Sequence, residues 1–94
     1  MENRIKLLFK NNVNKLVGDK LGKDTYEKQV KEFVNFTKLN IVVIPYTIDD
    51  ISISFVQGFT QSIFENIRKD EFNKYFKITG SQKVVDKFNK SINY

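Results

Sequence analysis

The sequence contains no cysteine and no histidine among its 94 residues. Without thiols the chain can form neither a disulfide framework nor a thiolate metal site, and without imidazole it lacks the usual proton shuttle of enzymes near neutral pH. No spacing of carboxylates, lysines or serines indicates a catalytic pocket. We therefore expect a protein that is not an enzyme, with no cofactor and no metal ion.

Long apolar runs, internal repeats and linkers rich in glycine, proline or serine are also missing. No stretch approaches the roughly 18 apolar residues that suggest a membrane span. The start of the chain, MENRIKLLFKNN, has neither a long apolar core nor a small-residue cleavage site. We expect a cytoplasmic protein without a membrane partner, formed by a single domain over residues 1–94.

Arginine is scarce, since only Arg4 and Arg68 stand among the 16 basic residues. The net charge is nevertheless +5 and the isoelectric point is near 9.5, which favours acidic partners. The chain therefore has few guanidinium groups, the planar side-chain groups that recognise a base through two hydrogen bonds. Sequence-specific reading of DNA is disfavoured.

Hydrophobic residues make up 40% of the chain, and their spacing changes between strand-like and helix-like. The alternation in IKLLFK predicts an edge strand over 5–10. Residues 11–24 are predicted to be a connection with a turn, in which GDKLGKD resembles a phosphate loop only superficially. Asp24 and Glu27 are spaced like a capping box at the start of an amphipathic helix, YEKQVKEFVNF.

The run Ile41 to Ile44 is continuously apolar and β-branched, which predicts a central strand that ends at Pro45. A wide apolar stripe predicts a helix over 54–69, and KYFKIT predicts another strand over 74–79. A last helix follows Gly80 and Ser81. The order β-α-β-α-β-α indicates an α/β fold, a mostly parallel sheet with helices packed on it.

The segment IDDISISFVQGF, residues 48–59, raises the question of what its serines do. Ser54 is predicted to be the N-cap of the following helix, with Gln57 completing a capping box. The same position could instead accept a phosphoryl group, which a helix N-terminus stabilises. A catalytic nucleophile elbow is set aside, because it needs flanking glycines and a histidine.

Four segments together carry a resemblance to a known family. They are IVVIPY, TIDDISI, SFVQGFTQSIFENI and KYFKITGSQKVVDKFNKSI. They resemble the STAS-like domain family, a family of unknown function related to the STAS domains of anti-sigma-factor antagonists. The likeness covers residues 12–92, and its most specific part is the I-S-x-S-F phrase before an amphipathic helix. The segment LVGDKLGKDTYEKQVKEFV resembles the family's first helix together with the glycine-containing segment that leads into it.

The resemblance implies a partner and a site. STAS-domain antagonists bind an ATP-dependent serine kinase of the histidine-kinase ATPase superfamily, and phosphorylation of a serine that caps their second helix releases it. Ser54 matches that serine by position, and Ser52 falls where the motif has Asp. Pro45 stands where the antagonists carry an acidic residue or Asn, and Phe55 replaces their glycine.

Two functional hypotheses follow. The first is a non-enzymatic regulatory module that docks on a protein partner, in particular an ATPase of the histidine-kinase type, through the loop 47–54 and the adjoining helix. Its candidate residues are Asp49, Asp50, Ser52, Ser54, Gln57 and Gln61. The alternative is a small basic nucleic-acid-binding protein of a mobile element or phage. Its candidate face consists of Lys15, Lys20, Lys23, Lys83, Lys87 and Lys90.

Overall fold

The computed structural model describes residues 2–94. In chain order the elements are β1 (Glu2–Lys6), β2 (Lys15–Leu16), α1 (Asp19–Gln29), β3 (Leu39–Val43), β4 (Asp50–Ile51), α2 (Ile53–Thr60), α3 (Phe72–Tyr75), β5 (Phe76–Thr79) and α4 (Gln82–Ser91). Short 3-10 turns at Ile63–Glu65 and Lys69–Glu71 join α2 to α3. In this described part of the chain, no helix has the length and apolar character needed to cross a bilayer.

The main sheet is parallel and has the strand order β1-β3-β5. Its register places Ile41 between Arg4 and Lys77, and places Val42 between Ile5 and Ile78. The predicted central strand is confirmed as β3, and the predicted edge strand as β1. The α/β fold with a mostly parallel sheet and packed helices is confirmed as well.

The two rows of the register mark two faces of this sheet, because successive side chains of a strand point to opposite sides. Ile5, Val42 and Ile78 belong to the continuous hydrophobic core, whereas Arg4 and Lys77 are exposed. The helices therefore pack on the face that carries Ile5, and the other face remains open at its edges.

Phenylalanines connect the helices to the sheet within the core. Phe59 of α2 meets Phe88 of α4 edge to face, with ring centroids 5.7 Å apart, and Phe88 in turn lies 6.1 Å from Phe72. Phe72 stacks on Phe76 of β5 at 5.2 Å. Each fully buried ring stabilises the fold by about 2–3 kcal/mol. These ring contacts join α2, α3, α4 and β5 in one hydrophobic core.

A buried amide holds the amino ends of the strands. The side chain of Asn40 in β3 is fully buried, and its Nδ2 donates to the carbonyl of Tyr75 at 3.0 Å and to that of Asn35 at 2.9 Å. Its Oδ1 accepts from Asn3 Nδ2 at 2.8 Å and from the Asn35 amide at 2.9 Å. Both the nitrogen and the oxygen of the amide therefore have hydrogen-bond partners, as burial requires.

A second ladder, parallel and only two residues long, pairs β2 with β4. It places Lys15 opposite Asp50 and Leu16 opposite Ile51. Residues 11–24 were expected to be a connection with a turn. The turn exists, since the amide of Val13 donates to the carbonyl of Lys10 at 3.0 Å, but a strand follows it. Two residues are too few to show a period of two in the sequence.

Helix α1 starts six residues earlier than the capping-box prediction placed it, since the predicted N-cap was Asp24. Gly18 is the N-cap, with a φ of 102° that an L side chain rarely adopts, and Asp24 lies inside the helix. The helix also ends at Gln29, so Phe33 lies outside it and is 60% exposed. The GDKLGKD segment is thus a helix start and not a turn.

Other boundaries also differ, most of all the end of the second helix. The first strand occupies Glu2–Lys6 instead of 5–10, although the Leu7 amide still donates to the Val43 carbonyl at 2.9 Å. β5 begins at Phe76, because Lys74 and Tyr75 end α3. The helix predicted over 54–69 stops at Thr60. The Thr60 hydroxyl donates to the Val56 carbonyl at 2.7 Å, one turn back, a bond that slightly destabilises a helix.

Glycines let α1 and α2 cross in contact. A Cβ on Gly22 would collide with the backbone of Phe55 and Phe59, and a Cβ on Gly58 would collide with the backbone of Asp19. Only hydrogen fits at these two positions. The crossing brings the amino ends of the two helices side by side.

Gly22→Ala tests this crossing. Alanine in a helix interior gains about 1 kcal/mol over glycine, but overpacking costs about 3 kcal/mol when backbone cannot yield. We expect a net loss of about 2 kcal/mol in the free energy of unfolding, measured by urea denaturation. Lys20→Ala, at an exposed position of the same helix, is the control and should change stability by less than about 0.5 kcal/mol. A Gly22→Ala variant more stable than the native chain would contradict the crossing.

Candidate functional site

Ser52, and not Ser54, caps helix α2. Ser52 has an extended backbone, with φ −93° and ψ 158°, and its Oγ accepts from the Phe55 amide at 3.0 Å. Its own amide donates to the Leu16 carbonyl at 2.9 Å, which holds residue 52 to the β2 strand and starts the helix directly after it. Ser54 therefore lies in the first turn. The predicted capping box with Gln57 is wrong, since Phe55 stands at the third helical position.

The two serine hydroxyls have different roles in hydrogen bonding. Ser52 Oγ also accepts from the Gly18 amide, at 3.1 Å, so both of its lone pairs are occupied by N–H donors. It lies 3.0 Å from Ser54 Oγ. The Ser52 proton is consequently donated to Ser54, because Ser52 can accept nothing more. Ser54 keeps its own proton and a lone pair for a ligand or solvent.

An ion pair lies beside the cap. Lys87 Nζ of α4 donates to Asp50 Oδ1 at 3.0 Å, and the Ile51 amide donates to the same oxygen at 2.9 Å. The bond from Lys87 lowers the pKa of Asp50 below its ordinary value of 3.8, despite some opposing desolvation. The Ile51 amide and the charge of Lys83 lower the pKa further.

A small cleft of about 60 Å³ connects these groups; its lining residues are Lys15, Val17, Asp50, Ile51, Ser52 and Lys87. Asp50 and Ser52 were predicted for protein docking, whereas Lys15 and Lys87 were predicted for nucleic acid. The fold brings the two sets to the same place. The β2–β4 ladder sets Lys15 opposite Asp50, and the ion pair with Asp50 brings Lys87 from α4.

Other predicted docking residues lie elsewhere on the surface. Gln57 and Gln61 line a separate open concavity of about 340 Å³, together with the apolar side chains of Phe64 and Ile92. Asp49 is exposed, and its amide donates to the Asn14 carbonyl at 2.8 Å. The predicted set is thus divided, with Asp50, Ser52 and Ser54 forming its compact part.

The predicted basic face is divided too. On α4, the exposed Lys83 and Lys90 lie opposite the buried residues of the helix, and Lys87 is engaged by Asp50. On α1, Lys20 is exposed and Lys23 pairs with Asp19 at 3.1 Å. Only Lys15 and Lys87 line the cleft.

Three exposed apolar side chains near strand ends were not among the candidates. They are Leu8, Val17 and Tyr46, which are 76%, 62% and 79% exposed. Leu8 follows β1 and Tyr46 follows β3, so both lie beyond the carboxyl edge of the main sheet. Gln29 binds the amide and the carbonyl of Leu8, at 2.7 and 3.0 Å, which fixes the backbone there. A tyrosine directly after Pro45 in a polar loop is the signal that could have identified Tyr46.

Within residues 2–94, no group of three or more acidic side chains is close enough to hold a metal ion. Asp50 is engaged by Lys87 instead.

Comparison with known proteins finds no matching family model, no matching curated protein and no matching solved structure.

The serine roles predict unequal effects on stability. Ser52→Ala removes the cap of Phe55 and the acceptor of the Gly18 amide, so we expect a loss of about 1–2 kcal/mol in the free energy of unfolding. Ser54→Ala leaves both amides bonded and should cost less than about 0.5 kcal/mol. Urea denaturation of the two variants makes the comparison. An equal loss in both, or a larger one in Ser54→Ala, would refute the assignment.

The Asp50–Lys87 pair predicts a dependence of stability on pH. Because the pKa of Asp50 is lowered in the folded chain, the pair stabilises the fold above the ordinary pKa and loses this effect as pH falls through the folded value. Asp50→Asn should therefore be less stable than the native chain at about pH 7, and the difference should shrink towards about pH 2. Asp49→Asn, its exposed neighbour, is the matched control. A difference for Asp50→Asn that does not change with pH would exclude the ion pair.

Proposed function

We propose that this chain is a non-enzymatic regulatory module of the STAS-like type, which docks on a protein partner through the loop 47–54 and the start of helix α2. The observation that carries the proposal is the hydroxyl of Ser54. It lies in the first turn of the helix, half-buried, and the cap is already provided by Ser52. A modification of Ser54 therefore need not unfold the domain.

The surroundings favour a protein as the partner. Val17 lines the cleft next to Ser52, and Tyr46 stands exposed in the loop that leads to β4. Exposed tyrosine and aliphatic side chains beside a polar rim are typical of protein interfaces, where an aromatic residue often contributes much of the binding energy. Asp50 and Lys87 would provide the polar rim.

The serine pair supports a switch at this surface. The resemblance implies a partner ATPase of the histidine-kinase type that phosphorylates the serine at the start of the second helix. A phosphate on Ser54 would lie near the free amides of the first turn, which favour negative charge. It would also attract Lys15 and Lys87 and repel Asp50. The new charge would thus change the polar rim on which the partner docks. Because such a partner uses ATP, we propose that the interaction takes place in the cytoplasm.

Nucleic acid is the alternative occupant. The observation that favours it is the presence of Lys15, Lys83 and Lys87 around Asp50. One acid among these lysines neutralises part of their charge, and no aromatic side chain lines the cleft for base stacking. Binding of this kind would fall steeply with salt.

The test is affinity purification of the tagged chain from its native host, with nuclease and moderate salt in the wash, followed by mass spectrometry. We expect a stoichiometric protein partner in the native sample. Recovery should fall at least tenfold with Ser54→Glu, because the added carboxylate places a second negative charge near Asp50 in the docking surface, and like charges in an interface cost several kcal/mol. A glutamate in the first helical turn suits the helix dipole, so the variant should remain folded.

Two comparisons make the result specific. Ser62→Glu adds the same charge to another half-buried serine and should retain the partner. Tyr46→Ala should weaken the complex without changing the unfolding transition. Recovery of nucleic acid alone, removed by the nuclease, would reject the docking module, and so would equal recovery with all variants.

A further inference from the structure

We propose that the open face of the main sheet is a second docking surface, which binds an amphipathic protein segment with acidic residues on both sides of an apolar stripe. This outer sheet face consists of the side chains that alternate with the core: Glu2, Arg4, Lys6, Leu39, Ile41, Val43, Lys77 and Thr79. The inference is independent of the proposed function, because helices α1, α2 and α4 pack on the other side of the sheet.

The centre of the outer sheet face is apolar. Leu39, Ile41 and Val43 follow one another along β3, and none of them belongs to the continuous hydrophobic core. Ile41 is only 4% exposed even so. Its register partners Arg4 and Lys77 explain this, since long basic side chains cover apolar neighbours with their stems and keep their charges in water.

The borders of the outer sheet face are basic. Arg4 and Lys6 lie on β1, on one side of the apolar strip, and Lys77 lies on β5, on the other. None of these three side chains forms an ion pair in the part of the chain that the structure describes. Glu2 is the only acid among the eight positions. The charges are therefore available to a partner on both sides of the strip.

This arrangement selects one occupant by charge and polarity. An amphipathic segment can lay its apolar stripe on the half-buried Leu39 and Val43 and on the aliphatic stems beside Ile41, while its acids meet the basic borders, so that both kinds of contact form together. A second copy of the chain would bring two basic borders together. Nucleic acid would leave the apolar strip unused, and the outer sheet face has no aromatic side chain on which bases could stack.

The experiment uses the full chain labelled with ¹⁵N and two synthetic helical peptides. In the first peptide a stripe of leucines is flanked by glutamates, and in the second by lysines. We expect the glutamate peptide to shift the amide resonances of β1, β3 and β5 and to saturate, and the lysine peptide to leave them unchanged.

Charge reversal on the outer sheet face tests the contact itself. Arg4→Glu combined with Lys77→Glu should weaken binding of the glutamate peptide at least tenfold. Lys20→Glu combined with Lys83→Glu is the matched control. It makes the same change in net charge, at exposed positions in the first turns of α1 and α4, and should bind as the native chain does.

Several outcomes would overturn the proposal. They are equal weakening by both double variants, shifts confined to α2 or α4, and self-association of the chain through these strands in sedimentation experiments. A single-stranded oligonucleotide could compete with the glutamate peptide through charge alone. If it displaces the peptide from the strands at low salt and not at moderate salt, the outer sheet face binds polyanions in general and the proposed protein segment is rejected.

Discussion

The contact of two helix backbones at Gly22 and Gly58 is the constraint on which the rest of the structure depends. It places the start of α1 against the start of α2, and so brings the Gly18 amide within 3.1 Å of the Ser52 hydroxyl. The short β2 strand ends two residues before Gly18, and its ladder with β4 forms in the same place. The cap, the cleft and the ladder thus lie together beside two positions where only hydrogen fits.

The long apolar patterns were sufficient to predict the three strands of the main sheet and the presence of α1, α2 and α4, but not the short helix α3. β3 carries Ile41, Val42 and Val43 of a β-branched run, and α4 repeats apolar residues at helical spacing, so both could be recognised locally. The boundaries of α1 could not, because Gly22 looks like a loop residue in the sequence. A glycine is required at position 22 because the backbone of α2 packs against it, and α2 comes more than 30 residues later in the chain.

The site was predictable only where its residues are contiguous. Asp50, Ser52 and Ser54 were grouped because they adjoin one another, but either serine could begin the helix on local grounds. A pairing with Leu16 decides between them, and that pairing is remote in sequence. The same remoteness hid the fact that Lys15 and Lys87 join Asp50. The two functional hypotheses were therefore derived as rivals with separate surfaces, although two residues of each set share a cleft.

The buried amide of Asn40 has a consequence for how the domain assembles. Its partners are Asn3 in β1, Asn35 in the turn before β3 and Tyr75 directly before β5. A partly formed sheet that lacks β5 would lose the bond to the Tyr75 carbonyl and leave that N–H only the longer 3.3 Å contact with the Lys38 carbonyl, at a cost of at most about 3 kcal/mol. Incomplete sheets are thus disfavoured relative to the finished chain. One side chain thereby couples the pairing of the three strands, since each strand supplies part of its environment.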